Sequence, residues 1–207
     1  MAEKKGIIVV VSGFSGTGKG TLMKRLTAEY DRYMLSVSMT TRQPREGEVD
    51  GREYFFTTDE HFEELIREGK FIEHAGYCGH YYGTPRDFVD RNLEDGKDVL
   101  LEIEVQGALQ VREIYPEALL IFVAAPSIEE LKKRLNGRGT EDPETIARRL
   151  ERAKEEVKYI DRYDHLLIND DLESCTRLMH EIIQSAHTAP ARNTGFIQTI
   201  REDLERE

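Results

Sequence analysis

Cysteine is nearly absent from the sequence: Cys78 and Cys175 are the only two among 207 residues. They stand far apart and form no metal-ligand spacing, so two reduced thiols are expected and a cysteine metal centre is not. Positive charge is in deficit, with 29 Lys and Arg against 40 Asp and Glu and a net charge of −11. That balance disfavours broad attraction to nucleic acid or to an anionic membrane, and an anionic ligand must be held by local donors. Long apolar runs are missing as well, none approaching the roughly 18 residues of a membrane span. Met-Ala-Glu-Lys-Lys precedes only the short run Ile7 to Val11, so no signal peptide is expected and the expected location is cytoplasmic. Repeats, low-complexity tracts and Pro/Gly/Ser-rich linkers are also absent, which argues against a string of modules.

What remains is an ordinary globular composition, with 39% apolar, 8% aromatic and 33% charged residues. At about 150 residues per domain, the length fits one domain with insertions. Four apolar runs read as buried strands: Ile7 to Val11, Val99 to Ile103, Leu119 to Ala124 and Leu166 to Ile168. They alternate with helical patterns, the mark of an α/β fold with a parallel sheet flanked by helices. Ser127 and Glu130 form a capping box whose helix stops at Gly137. Asp142 and Pro143 open a helix with the stripe Ile146, Leu150, Ala153, Val157 and Ile160. Residues 38 to 95 differ: Tyr/Phe-rich strands at Glu53 to Thr57 and Phe71 to Tyr82 surround a helix over His61 to Glu68, capped near Thr57 or Thr58. This segment reads as an inserted α+β lobe.

Directly after the first strand comes Gly13-Phe14-Ser15-Gly16-Thr17-Gly18-Lys19-Gly20-Thr21, followed by a helical pattern. Glycines at 13, 16 and 18 let main-chain N–H groups turn inward around a phosphate chain, and the helix N-terminus adds partial positive charge. Lys19 brings a full charge to the β- and γ-phosphates. Gly20 stands where Ser or Thr would offer a hydroxyl to Mg²⁺, so no direct protein ligand is assigned. The metal is expected through the nucleotide, with Thr21, water or other groups replacing that hydroxyl. Farther on, Arg42 and Arg45 stand three apart in a proline-containing loop and can grip one phosphate.

Together with that loop, SVSMTTRQPREGE, GREYFF, FIEHAGYCGHYYGT, LEIEVQG, LKKRLNGRGTE and INDD resemble the bacterial-type guanylate kinase family from about residue 6 to 187. The resemblance implies ATP:GMP phosphotransfer with Mg²⁺ on a P-loop nucleoside-monophosphate-kinase fold. Its expected parts are a core (about 6–37, 96–136 and 158–187), a GMP-binding lobe (38–95), a lid (137–157) and a tail (188–207). By the same resemblance Ser38, Glu73 and Glu104 face guanine, while Arg42, Arg45, Tyr54 and Tyr82 hold the GMP phosphate and Thr84 lies beside the pocket. Arg138 and Arg149 are the lid arginines that reach the transferring phosphoryl group, and Asn169 lies near the donor nucleotide. Glu104 departs from the family's usual Asp. Guanine chemistry agrees with these residue types, because a carboxylate can accept both N1–H and N2–H₂ where adenine presents an unprotonated N1.

Arg134, Arg148 and Arg152 read as surface or supporting residues, and His61, His74 and His80 as packing or surface. Phe196, Ile197, Ile200 and Leu204 form an amphipathic stripe in the tail, with oligomeric state left open. Two other readings compete with an active kinase: a non-catalytic binding module of the same family, and a P-loop kinase with another phosphorylated acceptor. The intact Gly13 to Lys19 loop argues against the first.

Overall fold

The computed structural model describes residues 5–77, 79–136 and 143–207; Cys78 and the segment containing Gly137, Arg138 and Asp142 lie outside the described residues. Along the chain, β1 (Ile8–Gly13) leads into α1 (Lys19–Glu29), and β2 (Tyr33–Leu35) into the short strands β3 (Met39–Thr40) and β4 (Phe55–Phe56). Helix α2 (Asp59–Arg67) precedes the hairpin of β5 (Phe71–Tyr77) and β6 (His80–Pro85), then α3 (Arg86–Glu94). The chain continues through β7 (Asp98–Glu102), α4 (Val105–Ile114), β8 (Leu119–Ala124), α5 (Ile128–Asn136) and α6 (Pro143–Glu156). It closes with β9 (His165–Ile168), α7 (Leu172–Ala186) and α8 (Thr194–Leu204).

Five strands form a parallel sheet in the order β2-β7-β1-β8-β9. Because side chains alternate across a strand, Val9 and Val11 of β1 pack toward Leu22, Met23 and Leu26 of α1 and Met179 and Ile183 of α7. Ile8 and Val10 pack toward Val89 and Leu93 of α3 and Ala108 and Val111 of α4. Burial on both faces is why the strands read as continuous apolar runs. All four expected core strands are present, within a few residues of the expected bounds. A fifth, β2, was not foreseen, since three residues at the sheet edge give too short a pattern. At the opposite end of the sheet from the glycine loop, buried Asp98 accepts from the Ile7 N–H (3.0 Å), Arg32 Nε (2.9 Å) and His187 Nε2 (2.9 Å).

The second sheet runs β4-β3-β6-β5. The expected strand at Glu53 to Thr57 shrinks to Phe55–Phe56, and the aromatic run Phe71 to Tyr82 is a hairpin. Phe62 of α2 stacks on Phe71 (4.4 Å between ring centres) and Tyr81 (5.4 Å), so that face of the hairpin is covered. Helix α2 starts two residues before His61, with the Thr58 hydroxyl accepting from the His61 N–H. Half of the expected capping box at α5 forms: Ser127 accepts from the Glu130 N–H, while the Glu130 carboxylate turns to Arg134. The stripe of α6 needs correction at Val157, which is 51% exposed. There the α-helix gives way to a 3₁₀ turn, Val157–Arg162, whose tighter winding shifts the phase of the stripe. The tail stripe does become a helix, but Phe196 and Leu204 remain 69% and 70% exposed.

Candidate active site

Every parallel strand of the main sheet ends on the same side, and the loops following β1, β7 and β9 meet there, the position at which ligands of such sheets gather. Gly16 and Gly18 adopt left-handed φ of 88° and 87°, which a side chain would strain. The loop thereby bends from β1 into the N-terminus of α1, where no side chain caps the first N–H groups and an anion can take them. Thr17 is buried and donates to the Phe14 carbonyl (2.9 Å). Lys19 Nζ donates to the carbonyls of Gly13 (2.6 Å) and Phe14 (3.1 Å). Burial lowers the Lys19 pKa, against the pull of Glu102, Glu104 and Glu156.

Two long-range contacts hold the loop. Buried Asn169 donates its amide to the Thr17 carbonyl (2.7 Å) and accepts on its own main-chain carbonyl from Arg134 (2.8 Å). The Asn169 side chain therefore braces the loop from β9, and Arg134 supports it. From α6, Arg149 Nη1 donates to the Ser15 hydroxyl (2.6 Å), so this arginine lies on the glycine loop. Arg138 is outside the described residues.

Residues expected on the acceptor side meet on the face of the second sheet opposite Phe62, where Glu73 and Thr84 are buried. Tyr82 and Thr84 are two apart on β6 and share that face, while Tyr81 and Phe71 face Phe62. A bulge between Phe71 and Glu73 sends Glu73 to the opposite face from Phe71. There the Thr84 hydroxyl donates to Glu73 Oε1 (2.6 Å). Glu73 is 6% exposed, and burial raises its pKa against the opposing effect of Thr84. Arg42 lies over the Tyr54 ring (5.3 Å), and the Tyr54 and Tyr82 rings meet edge to face at 5.9 Å. Burial works against the Arg42 charge, but hydrogen bonds to Glu48 and Tyr82 hold its pKa above the usual range. Ser38 starts the strand pairing, its carbonyl accepting from the Phe55 N–H (2.9 Å). Arg45 is exposed, and its main-chain N–H donates to Glu48 (2.8 Å).

Near the two clusters stand Glu102, Glu104 and Glu156, of which the motifs single out only Glu104. A Cβ built on Gly20 would lie 3.6 Å from Glu102 Oε2, so a carboxylate stands beside the position lacking a hydroxyl. Carboxylate and hydroxyl oxygens such as those of Glu102 and the exposed Thr21 are of the kind a hard divalent cation takes. Burial raises the Glu102 pKa, opposed by Lys19. Glu104 pairs with Arg152 Nη2 (3.1 Å), and Arg152 Nε reaches Glu156 (2.9 Å). Burial, then repulsion from Glu104, pushes Glu156 up to about 7. Arg152 is thus a bridge between two acids; its i,i+4 spacing from Glu156 was visible in the sequence, but its pairing with Glu104 was not.

Comparison with known proteins gives the family. The family model described as guanylate kinase matches residues 5–186. A guanylate kinase of Bacillus anthracis is 47% identical over 205 residues, covering 99% of this chain and 100% of the relative. One from Lactococcus lactis subsp. lactis is 48% identical over 185 residues, covering 89% and 90%. The crystal structure of guanylate kinase from Anaplasma phagocytophilum superposes with a TM-score of 0.75 at 32% identity, covering 93% of this chain and 92% of that one. With the glycine loop, the parallel sheet and a match along nearly the whole length, this chain belongs to the guanylate kinase family.

Proposed function

We propose that this chain transfers the γ-phosphoryl group of ATP to GMP, giving ADP and GDP, with the glycine loop as the donor site and the face of the second sheet opposite Phe62 as the acceptor site. The observation that carries the reading is proximity: Glu102 acts electrostatically on both Lys19 of the glycine loop and Tyr54 of the second cluster, which supports one shared site. The GMP phosphate is itself the nucleophile, and transfer demands alignment and charge neutralisation rather than a catalytic base.

In this reading the main-chain N–H groups of residues 13 to 21 and the Lys19 ammonium hold the donor phosphates. Arg149, with Arg138, neutralises charge on the moving phosphoryl group, while Arg42, Arg45, Tyr54 and Tyr82 fix the acceptor phosphate. Glu73, oriented by Thr84, accepts from guanine N1–H and N2–H₂; Ser38 and Glu104 complete the base site. Mg²⁺ bound with ATP would neutralise charge on the β- and γ-phosphate oxygens, and Glu102 and Thr21 are the groups of this chain that would hold it. Among the described residues no helix is long and apolar enough to cross a membrane. The setting is cytoplasmic in this reading, and because a net charge of −11 repels two anionic substrates, they are held by the local donors named above.

The test is ADP release across a panel of monophosphates. Strong dependence on GMP, with AMP, CMP and ribose phosphates inert, is expected; ADP release indifferent to the acceptor, or equal for AMP, overturns the reading.

A further inference from the structure

Gly107 is the third residue of α4, and its helical backbone does not require glycine: it is not among the residues with positive φ. Glycine there gives up helix propensity, and no turn or cap explains it. The explanation lies in what faces it. A Cβ at 107 would stand 2.6 Å from Glu73 Oε2, 3.2 Å from the Glu73 carboxyl carbon and 3.3 Å from Ile103 Cδ1. The first distance is too short for any real contact.

Relief by moving the helix is blocked. One turn along α4, the Gln110 side chain accepts from the His74 N–H and donates to the His74 carbonyl, both at 3.2 Å. This two-point clamp fixes α4 against the residue adjacent to Glu73. On the far side, Glu73 Oε1 is held by Thr84 at 2.6 Å. A methyl group at 107 is therefore accommodated at the free end of the Glu73 side chain, by turning the carboxylate off its Thr84 bond.

We infer that Gly107 is a specificity-determining position that acts through Glu73: the missing side chain leaves the space in which the carboxylate must lie to meet the guanine edge. The inference rests on the proposed function and deepens it, since it concerns how the same site chooses its base. Inosine monophosphate is the informative comparison. It keeps N1–H and O6 and lacks the 2-amino group, so it forfeits one of the two donors that Glu73 accepts.

The experiment is Gly107→Ala in the full chain, with kcat and KM for GMP, inosine monophosphate and ATP measured beside the melting temperature. The expected result is a loss of about tenfold or more in kcat/KM for GMP, the scale of one displaced hydrogen bond to a charged group. A smaller loss for inosine monophosphate should narrow the preference between the two, with the ATP KM and the melting temperature held. Glu73→Asp in the Gly107→Ala background shortens the acid by one methylene, restores clearance and should recover part of the preference. An unchanged preference with unchanged GMP KM overturns the inference, as does an equal loss for both acceptors with a lowered melting temperature. Lack of GMP-dependent ADP release by the unaltered chain would instead sink the functional reading, before any variant is compared.

Discussion

Lys19 holds its positive charge in a half-buried place, and its ammonium touches two carbonyls of the loop it serves. On the proposed function, Lys19→Ala should lower kcat by roughly two to three orders of magnitude, the scale seen when one transition-state donor is removed. The fold should melt within a few degrees of the parent, and retained turnover would remove Lys19 from the mechanism. Glu73→Gln replaces one acceptor oxygen by a donor opposite guanine's own donors, and should raise the GMP KM at least about tenfold with little change for ATP; equal weakening of both nucleotides would count against base reading by Glu73. Glu156 supplies a pH signature. Its pKa lies at about 7 in the fold, against 4.5 in its unperturbed state, so between those values the folded state binds more protons than the unfolded one. Its contribution to stability is fully present below the unfolded value and declines as pH rises through 7. Glu104 repels the ionised form and Arg152 attracts it, while Lys19 and Tyr163 complete its charged and titratable surroundings. Glu156→Gln should flatten the fall in melting temperature between about pH 4.5 and 7, and an unaltered slope would place that titration elsewhere.

Elements divide into those that declare themselves locally and those completed by distant partners. The glycine loop was legible because strand, loop and helix are consecutive, and α2 and α5 because a Thr or Ser stands three residues before the N–H it caps. The bulge that turns Glu73 away from Phe71 was not legible, because it is visible only against β6. The buried state of Glu156 and the bracing role of Asn169 were hidden for the same reason: both depend on contacts from other elements. Four of the seven family motifs supply the residues expected at the acceptor, yet they do not single out the carboxylates Glu102 and Glu156, which the sequence presents as ordinary acids at the ends of a strand and a helix. The start of β7 illustrates the cost of such distant ties. Asp98 joins the N-terminal segment, Arg32 and the C-terminal cap of α7 through one buried carboxylate. Asp98→Ala leaves those donors unpaired and should lower the unfolding free energy by about 3 kcal/mol; a urea midpoint within error of the parent would show that the network contributes nothing net.

For the whole molecule, one end of the main sheet holds the glycine loop and the second sheet carries the other cluster, while Asp98 ties the main sheet's other end to the close of α7. Helix α8 lies outside this arrangement: its apolar residues are largely exposed. A chain ending at Asn193 should keep its melting temperature within a few degrees, since truncation at a poorly buried terminus removes little, and should keep its GMP-dependent turnover. A large loss of either would give the tail a structural or catalytic part.

The bond from Asn169 to Thr17 spans 152 positions, and it has a consequence for biogenesis. At 5–20 amino acids per second, the ribosome adds Asn169 about 8–30 s after Thr17. For that interval the nascent glycine loop lacks its rear support, so the loop is braced only after β9 has been made.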